Sequence, residues 1–220
     1  MHATSVGVLT IGLDAPLVLE TAEHGATTTR SAYAPARTPH RVVAPEGRIL
    51  LLFTDSADAP AGRAAAAMRR LVGPYGLDHR RERELIAACS HSPDPDVLRF
   101  LVGPCVPGTT DRRIRRVVDE IRDDPGRAFR AEETACRLGL STPHFLRLFA
   151  QHTSTTFRRY QQWNRLLQVT RGIAAGHTLT RCAADAGFAS QSHLSDTFRR
   201  TLGTTATSVL DSRVQFYLDC

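Results

Sequence analysis

Every strong cation in this chain is a guanidinium, because all 28 basic residues are arginine and none is lysine. Arginine stays charged at any relevant pH and grips phosphate through two parallel N–H groups. Its placement is uneven. Residues 1–103 hold 11 arginines against 11 acidic residues, whereas residues 104–220 hold 17 against 11, so the whole net charge of +6 lies in the second half. A basic segment beside a neutral one suits a polyanionic partner such as nucleic acid, and chance asymmetry in an arginine-rich chain is the plainer alternative. The sequence has no G-x-S-x-G, no phosphate-binding P-loop and no H-E-x-x-H, so no catalytic set emerges and no enzyme is expected. Cys89, Cys105, Cys136, Cys182 and Cys220 form no C-x-x-C pair and are odd in number. They predict reduced, buried or incidental thiols rather than disulfides or a zinc finger.

The elements that position these groups fall into two parts. The first sixty residues read as short strands: Val6 to Ile11, Leu17 to Leu19, Thr27 to Tyr33, Arg41 to Val43 and Ile49 to Phe53. Gly, Pro or Asp bounds each, and Glu46-Gly47 makes a hairpin-like turn, so a small β-sandwich or open barrel is expected. Ala61 to Val72 is alanine-rich and predicts a helix ending at Gly73-Pro74, with further helices over Arg80 to Cys89 and Asp96 to Val102. The stretch from Gly103-Pro104 through Pro107-Gly108 has linker composition, and the domains are drawn as 1–103 and 104–220. From Asp111 the pattern is helical. Ile114, Val117, Val118 and Ile121 share one face of a helix that Asp111 caps, Arg112, Arg113, Arg115 and Arg116 cover the rest, and Pro125-Gly126 ends it. A longer helix runs from about Thr156 to Ala174, stopped by Gly176 and spanning about 27–28 Å. No run of 18 apolar residues and no basic-then-apolar start is present, which predicts a cytoplasmic protein with no membrane partner.

Two segments of the second half repeat one another. One reads Ala135, Gly139, Leu140, Ser141, then Phe145 and Phe149; the other reads Ala183, Gly187, Phe188, Ser190, then Leu194 and Phe198. Alanine and glycine are four apart in both, as are the two later apolar residues, and the copies lie about 48 residues apart. A small alanine lets two helices approach, glycine supplies the positive φ of a tight turn, and Ser141 or Ser190 can cap a second helix. That is the construction of a helix-turn-helix, whose second helix fits the major groove of DNA. An ordinary helical hairpin in a bundle is the alternative.

At these residues the chain resembles the DNA-binding domain of the AraC/XylS family of transcription regulators. The first unit matches at Ala135, Gly139-Leu140-Ser141, Leu146-Arg147, Phe149, Phe157 and Tyr160; Arg165-Leu166 match in a bridging helix. The second unit matches at Ala183-Ala184, Ala186-Gly187-Phe188, Gln191-Ser192-His193, Phe198-Arg199-Arg200 and Gly203. The resemblance spans about residues 110–210. It implies an all-α C-terminal domain of about seven helices with two recognition helices in successive major-groove turns of double-stranded DNA. Carried over by position, base-facing residues are Thr142, Pro143, His144, Leu146 and Arg147 in the first unit, and Ser190, Gln191, Ser192, His193, Ser195 and Asp196 in the second. Arg147 would pair with guanine and Gln191 with adenine, while His193 reaches DNA or packs between helices. Arg158, Arg159, Arg199 and Arg200 are implied phosphate contacts. Asp196 stands where the family often has a basic residue, and pairing with Arg199 or Arg200 is expected to neutralise it. Leu146 suits a thymine methyl, Ser154 replaces a usual glycine, and Ala206 replaces a usual proline.

The first half resembles that family's cupin-like domain more weakly, through His40 to Val43 and Arg48 to Leu52. The fold class is thus α+β in two domains. The resemblance implies a sensory or dimerising N-terminal domain that binds a small-molecule effector, a homodimer, and RNA polymerase as a partner if the chain activates transcription. His24 and His40, with Glu20, Glu23 and Glu46 near in sequence, are too dispersed to predict a metal site, and no cofactor is expected. The rival readings are a cupin-type enzyme fused to a DNA-binding module, a repair methyltransferase with a zinc-bound cysteine cluster, and a helical adaptor.

Overall fold

The computed structural model describes residues 1–45, 47–55, 57, 61–89, 94–102 and 111–207, with backbone only at 61–63, 95–96 and 99–100. Glu46, the 103–108 linker, Cys105 and Cys220 lie outside the described residues. The chain forms two compact units, Met1–Gly108 and Thr109–Cys220.

The first unit is built on antiparallel strands. β1 (Gly7–Gly12), β4 (Ser31–Ala34), β6 (Ile49–Thr54), β7 (Met68–Val72) and β8 (Tyr75–His79) form one sheet in the order β6-β1-β4-β8-β7. β2 (Leu17–Thr21), β3 (Gly25–Thr29) and β5 (Arg41–Val43) form a second in the order β3-β2-β5. The period of two assigns the side chains of β1 to opposite faces. Val8 joins Leu17, Leu19, Ala32, Ala34, Tyr75 and Leu77 in a core that draws on both sheets. Leu9 and Ile11 join Tyr33 and Met68 in a second core covered by α2 (Glu82–Ala88) and α3 (Pro95–Val102) through Leu85, Cys89, Leu98 and Leu101. β1 is therefore buried along its whole length.

Two expectations for this unit need correction. The helix predicted over Ala61 to Val72 stops after one turn and a half, as α1 (Ala61–Ala66). Met68 to Val72 is a strand paired with Tyr75 to His79, and Gly73-Pro74 is the two-residue hairpin loop between them, with Gly73 at φ +56°. A partner strand just downstream overrides the helix preference of the alanine run. The strand expected over Thr27 to Tyr33 is two strands in different sheets, β3 and β4, broken at Arg30.

The second unit is helical. Among the described residues it contains α4 (Arg112–Asp123), α5 (Ala131–Arg137), α6 (Thr142–Thr153), α7 (Phe157–Ala174), α8 (Leu179–Asp185) and α9 (Gln191–Leu202). Helical backbone resumes at Ala206 and Thr207, where the description ends. Asp111 caps α4 by accepting from the Arg113 N–H at 2.9 Å, and Ile114, Val117, Val118 and Ile121 are its buried face. Thr156 caps α7 by accepting from Arg159 N. Ser154, in place of the expected glycine, ends α6 at φ +56° and ψ 12°. A left-handed residue with a Cβ costs about 1 kcal/mol, which the packed aromatic side chains on either side offset.

No described helix is long and apolar enough to cross a membrane. Asp111→Ala is expected to destabilise the helical unit by about 1 kcal/mol, read as a lower denaturant midpoint at neutral pH. The Arg113 guanidinium, hydrogen-bonded to the Asp111 carboxylate, lowers its pKa from 3.8 to about 2. A depressed folded pKa stabilises the fold above the unfolded value, so the difference between wild type and variant should be full above about pH 4 and vanish as pH falls towards 2.

Candidate nucleic-acid interface

The repeat seen in the sequence is a repeat of hydrogen bonds. In the first unit the Leu140 N–H donates to the Ala135 carbonyl at 2.9 Å and the Gly139 N–H to the Cys136 carbonyl at 3.0 Å. In the second, Phe188 N–H donates to Ala183 at 2.9 Å and Gly187 N–H to Ala184 at 3.0 Å. This is the Schellman closure of a helix C-terminus, which needs a left-handed residue just after the cap. Gly139 and Gly187 supply it at φ +66° and +69°. Ala135 and Ala183 are buried, so each turn folds the next helix back over a small side chain.

The second helix of each unit is then held by its apolar face. Phe145 and Phe149 of α6 meet Phe157 of α7 edge to face at 5.0 and 5.1 Å, and Phe149 meets Tyr160 at 5.5 Å. Arg122 Nε donates to the Tyr160 hydroxyl at 3.0 Å, and Arg137 grips the Glu120 carboxylate with both terminal nitrogens at 3.1 and 2.6 Å, bracing α5 against α4. Leu194 and Phe198 of α9 are buried with Leu166, Val169 and Ile173 of α7, Cys182, Ala183, Phe188 and Ala206. The 18 residues of α7 span about 27 Å.

The faces left over carry the expected readers. On α6, Pro143, His144, Leu146 and Arg147 are exposed and Thr142 is half-buried. On α9, Gln191, Ser192, His193 and Asp196 are exposed, as is Ser190 at its start, and Ser195 is half-buried. Leu146, 38% exposed, is a large apolar side chain in water on an otherwise polar face. Gln191 Oε1 accepts from the Thr180 hydroxyl at 3.1 Å, which orients the amide from α8. His193 does both things its type allowed: its ring lies edge-on to Phe188 at 5.5 Å and the residue remains exposed. Arg158 and Arg159 are exposed in the first turn of α7, and Arg199 and Arg200 in the last turn of α9.

Two local expectations change. Ser190 caps α9, accepting from the His193 N–H at 3.1 Å, but Ser141 makes no side-chain cap on α6. Among the described residues the Asp196 carboxylate has no ion-pair partner: Arg200 Nε donates instead to the Asp196 backbone carbonyl at 3.3 Å, and the side chain is exposed. A negative group on a reading helix accepts from cytosine N4 or repels phosphate.

Unforeseen in the sequence was a cleft of about 350 Å³ lined by Phe129, Arg158, Gln161, Arg165, Phe188 and His193, which brings the first half of α7 next to the start of α9. Gln161, Arg165 and Gln168 follow helical spacing, a polar stripe that could have signalled a second packing face. In the first unit of the chain, the dispersed histidines stay dispersed. His40 is buried, its Nδ1–H donates to the Thr38 carbonyl at 2.8 Å, and its ring lies 4.6 Å from that of His2; burial pushes the pKa of both downwards. His24 lies edge-on to Tyr75 at 6.3 Å, and Glu20 pairs with Arg41 at 3.3 Å. Among the described residues no three His, Cys, Asp or Glu gather where they could hold a metal ion.

These features define a class: a two-unit chain with a β-rich first half and a helical second half that carries paired helix-turn-helix units. The family described as a helix-turn-helix domain matches residues 134–212. Among solved structures, ToxT from Vibrio cholerae has the same fold. Its apo K231A form from strain SCE256 superposes with a TM-score of 0.61 and 11% identity, covering 96% of this chain and 90% of its own. ToxT from strain O395 gives 0.61 and 12% over the same shares, and the unsaturated-fatty-acid-bound wild type gives 0.58 and 10% over 95% and 88%. No curated protein matches the chain. Over residues 134–212 the chain thus carries a helix-turn-helix domain of the AraC type.

Arg147→Ala is expected to weaken binding to a preferred duplex by about 1–3 kcal/mol and to flatten preference at one base position, measured by competition with single-base variants. An equal loss on every duplex would reassign Arg147 to a phosphate.

Proposed function

We propose that the chain regulates transcription by placing α6 and α9 in two successive major-groove segments on one face of the duplex, with Arg147, Gln191 and His193 as its chief base contacts. The observation that carries this is the duplicated turn, which presents two helices with exposed polar faces and joins them through one continuous α7. Its length of about 27 Å approaches the roughly 34 Å between groove segments one helical turn apart. Arg158, Arg159, Arg199 and Arg200 supply sequence-independent phosphate contacts, in keeping with the charge concentrated in this half.

In this reading the N-terminal unit senses an effector or dimerises the chain, and an activating form touches RNA polymerase. ToxT has been solved with an unsaturated fatty acid and with (E)-4-(8-methylnaphthalen-1-yl)but-3-enoic acid. An apolar carboxylic acid is therefore the effector class we propose first. Arg30 is the counter-charge we propose for such a group in this unit: among the described residues its buried Nε has no hydrogen-bond partner, while its Nη2 donates to the Leu13 carbonyl at 2.6 Å. The protein acts by binding, not by turnover.

Selection from random duplex DNA, at two salt concentrations, tests the proposal. The expected outcome is a motif with two information-rich blocks about one helical turn apart and an affinity that falls steeply with salt. A single block would leave α9, with Asp196, as a non-reading unit. No enrichment and no salt dependence, with and without a long-chain fatty acid, would overturn the reading.

A further inference from the structure

The two turn glycines are not equivalent. A Cβ on Gly139 would meet nothing within 4 Å, so that glycine answers only to its positive φ. A Cβ on Gly187 would lie 2.7 Å from the Gly126 carbonyl oxygen, and one on Gly126 would lie 3.1 Å from the Asp185 carbonyl oxygen. The loop between α4 and α5, which leads into the first helix-turn-helix, thus touches the turn of the second, backbone against backbone.

Three side chains of α7 tie this contact down. Gln161 accepts from the Phe129 N–H at 3.1 Å and donates to the Phe129 carbonyl at 3.2 Å. Arg165 Nε donates to the Pro125 carbonyl at 3.3 Å. Gln168 Nε2 donates to the Asp185 carbonyl at 3.0 Å. The residues are four and three apart, so they form one stripe along the helix, reaching the 125–129 loop at one end and the end of α8 at the other. The loop is stiffened from within. The Arg127 N–H donates to both the backbone and side-chain oxygens of Asp124 at 3.2 Å, and the Arg127 guanidinium sits 4.9 Å from the Phe129 ring centre. None of the three α7 side chains belongs to the buried apolar clusters of the two units.

We infer that this backbone latch, held by Gln161, Arg165 and Gln168 across the Gly126–Gly187 contact, sets the placement of α9 relative to α6 and so the spacing of DNA blocks that the chain accepts. The inference rests on the two-block reading proposed above. Inserting one base pair between blocks moves the second by about 3.4 Å and turns it by about 34–36°. A rigid pair of reading helices cannot follow that shift without giving up contacts in one groove; a pair hinged on α7 alone follows it at smaller loss. The three residues are positioning residues: they act through the geometry of α6 and α9 and read no base.

The test uses the full-length chain with Gln161→Ala and Gln168→Ala combined, since alanine is the stronger helix former and leaves α7 intact. Binding is measured on duplexes carrying the two selected blocks at native spacing, with one base pair inserted or removed, and on duplexes with one block alone. Single-block affinity should be unchanged. Affinity at native spacing should fall about three- to tenfold, as expected for two or three lost hydrogen bonds, and the ratio of native to shifted spacing should fall severalfold. An unchanged ratio with wild-type two-block binding overturns the latch alone. Failure of the wild type to select two blocks overturns the underlying reading and the latch with it. If the double variant unfolds, Gly126→Ala reads the same ratio, because its Cβ presses on the Asp185 carbonyl and shifts the contact without removing a hydrogen bond.

Discussion

Phe157 and Tyr160 at the start of α7 pack into the aromatic cluster of the first helix-turn-helix, while Leu166, Val169 and Ile173 further along the same helix are buried in the core of the second. One rod therefore belongs to two cores. Close packing holds each core against its own end of the rod. The exposed faces of α6 and α9 inherit their placement from this shared helix together with the polar contacts that Gln161, Arg165 and Gln168 make across it. Truncating Phe157 would remove an aromatic partner from Phe145 and Phe149 together, at about 3–5 kcal/mol.

The reading faces themselves are loosely constrained. Arg147, Ser192 and Asp196 are exposed. Substitution on the outer faces of α6 or α9 can thus leave the turns and cores as they are. This separation explains an acidic Asp196 on a basic unit: no buried interaction depends on it.

The N-terminal unit follows a different logic. Its first strand, β1, is buried along its length between a two-sheet core and a helix-covered core and so organises both layers. Its edge strand β6 leaves Ile49, Leu51 and Phe53 between 38% and 46% exposed, which alternate with half-buried Leu50 and Leu52 as the pleat demands. β-Branched runs and turn residues mark this strand and most others in the sequence. β7 and β8 carry no such mark: Met68 to Val72 follows an alanine run, Tyr75 to His79 holds no β-branched residue, and the two take strand form by pairing with one another. β3 and β4 read as one strand, because the break at Arg30 is a change of sheet, visible only once both sheets exist.

In the helical unit, local rules were enough for the repeat, its glycines, the caps at Asp111 and Ser190, and the candidate readers on the outer faces, since each depends on residues within a few positions of one another. The cap expected at Ser141 does not form. The sequence by itself determined two turn-linked helix pairs, a basic half to carry them and the length of the rod between. Tertiary structure alone decided that Gly187 meets Gly126, that Gln161, Arg165 and Gln168 reach backbone carbonyls of separate segments, and that one helix serves two cores. Those contacts join residues tens of positions apart through backbone atoms that every amino acid shares, so no residue type at either end announces them.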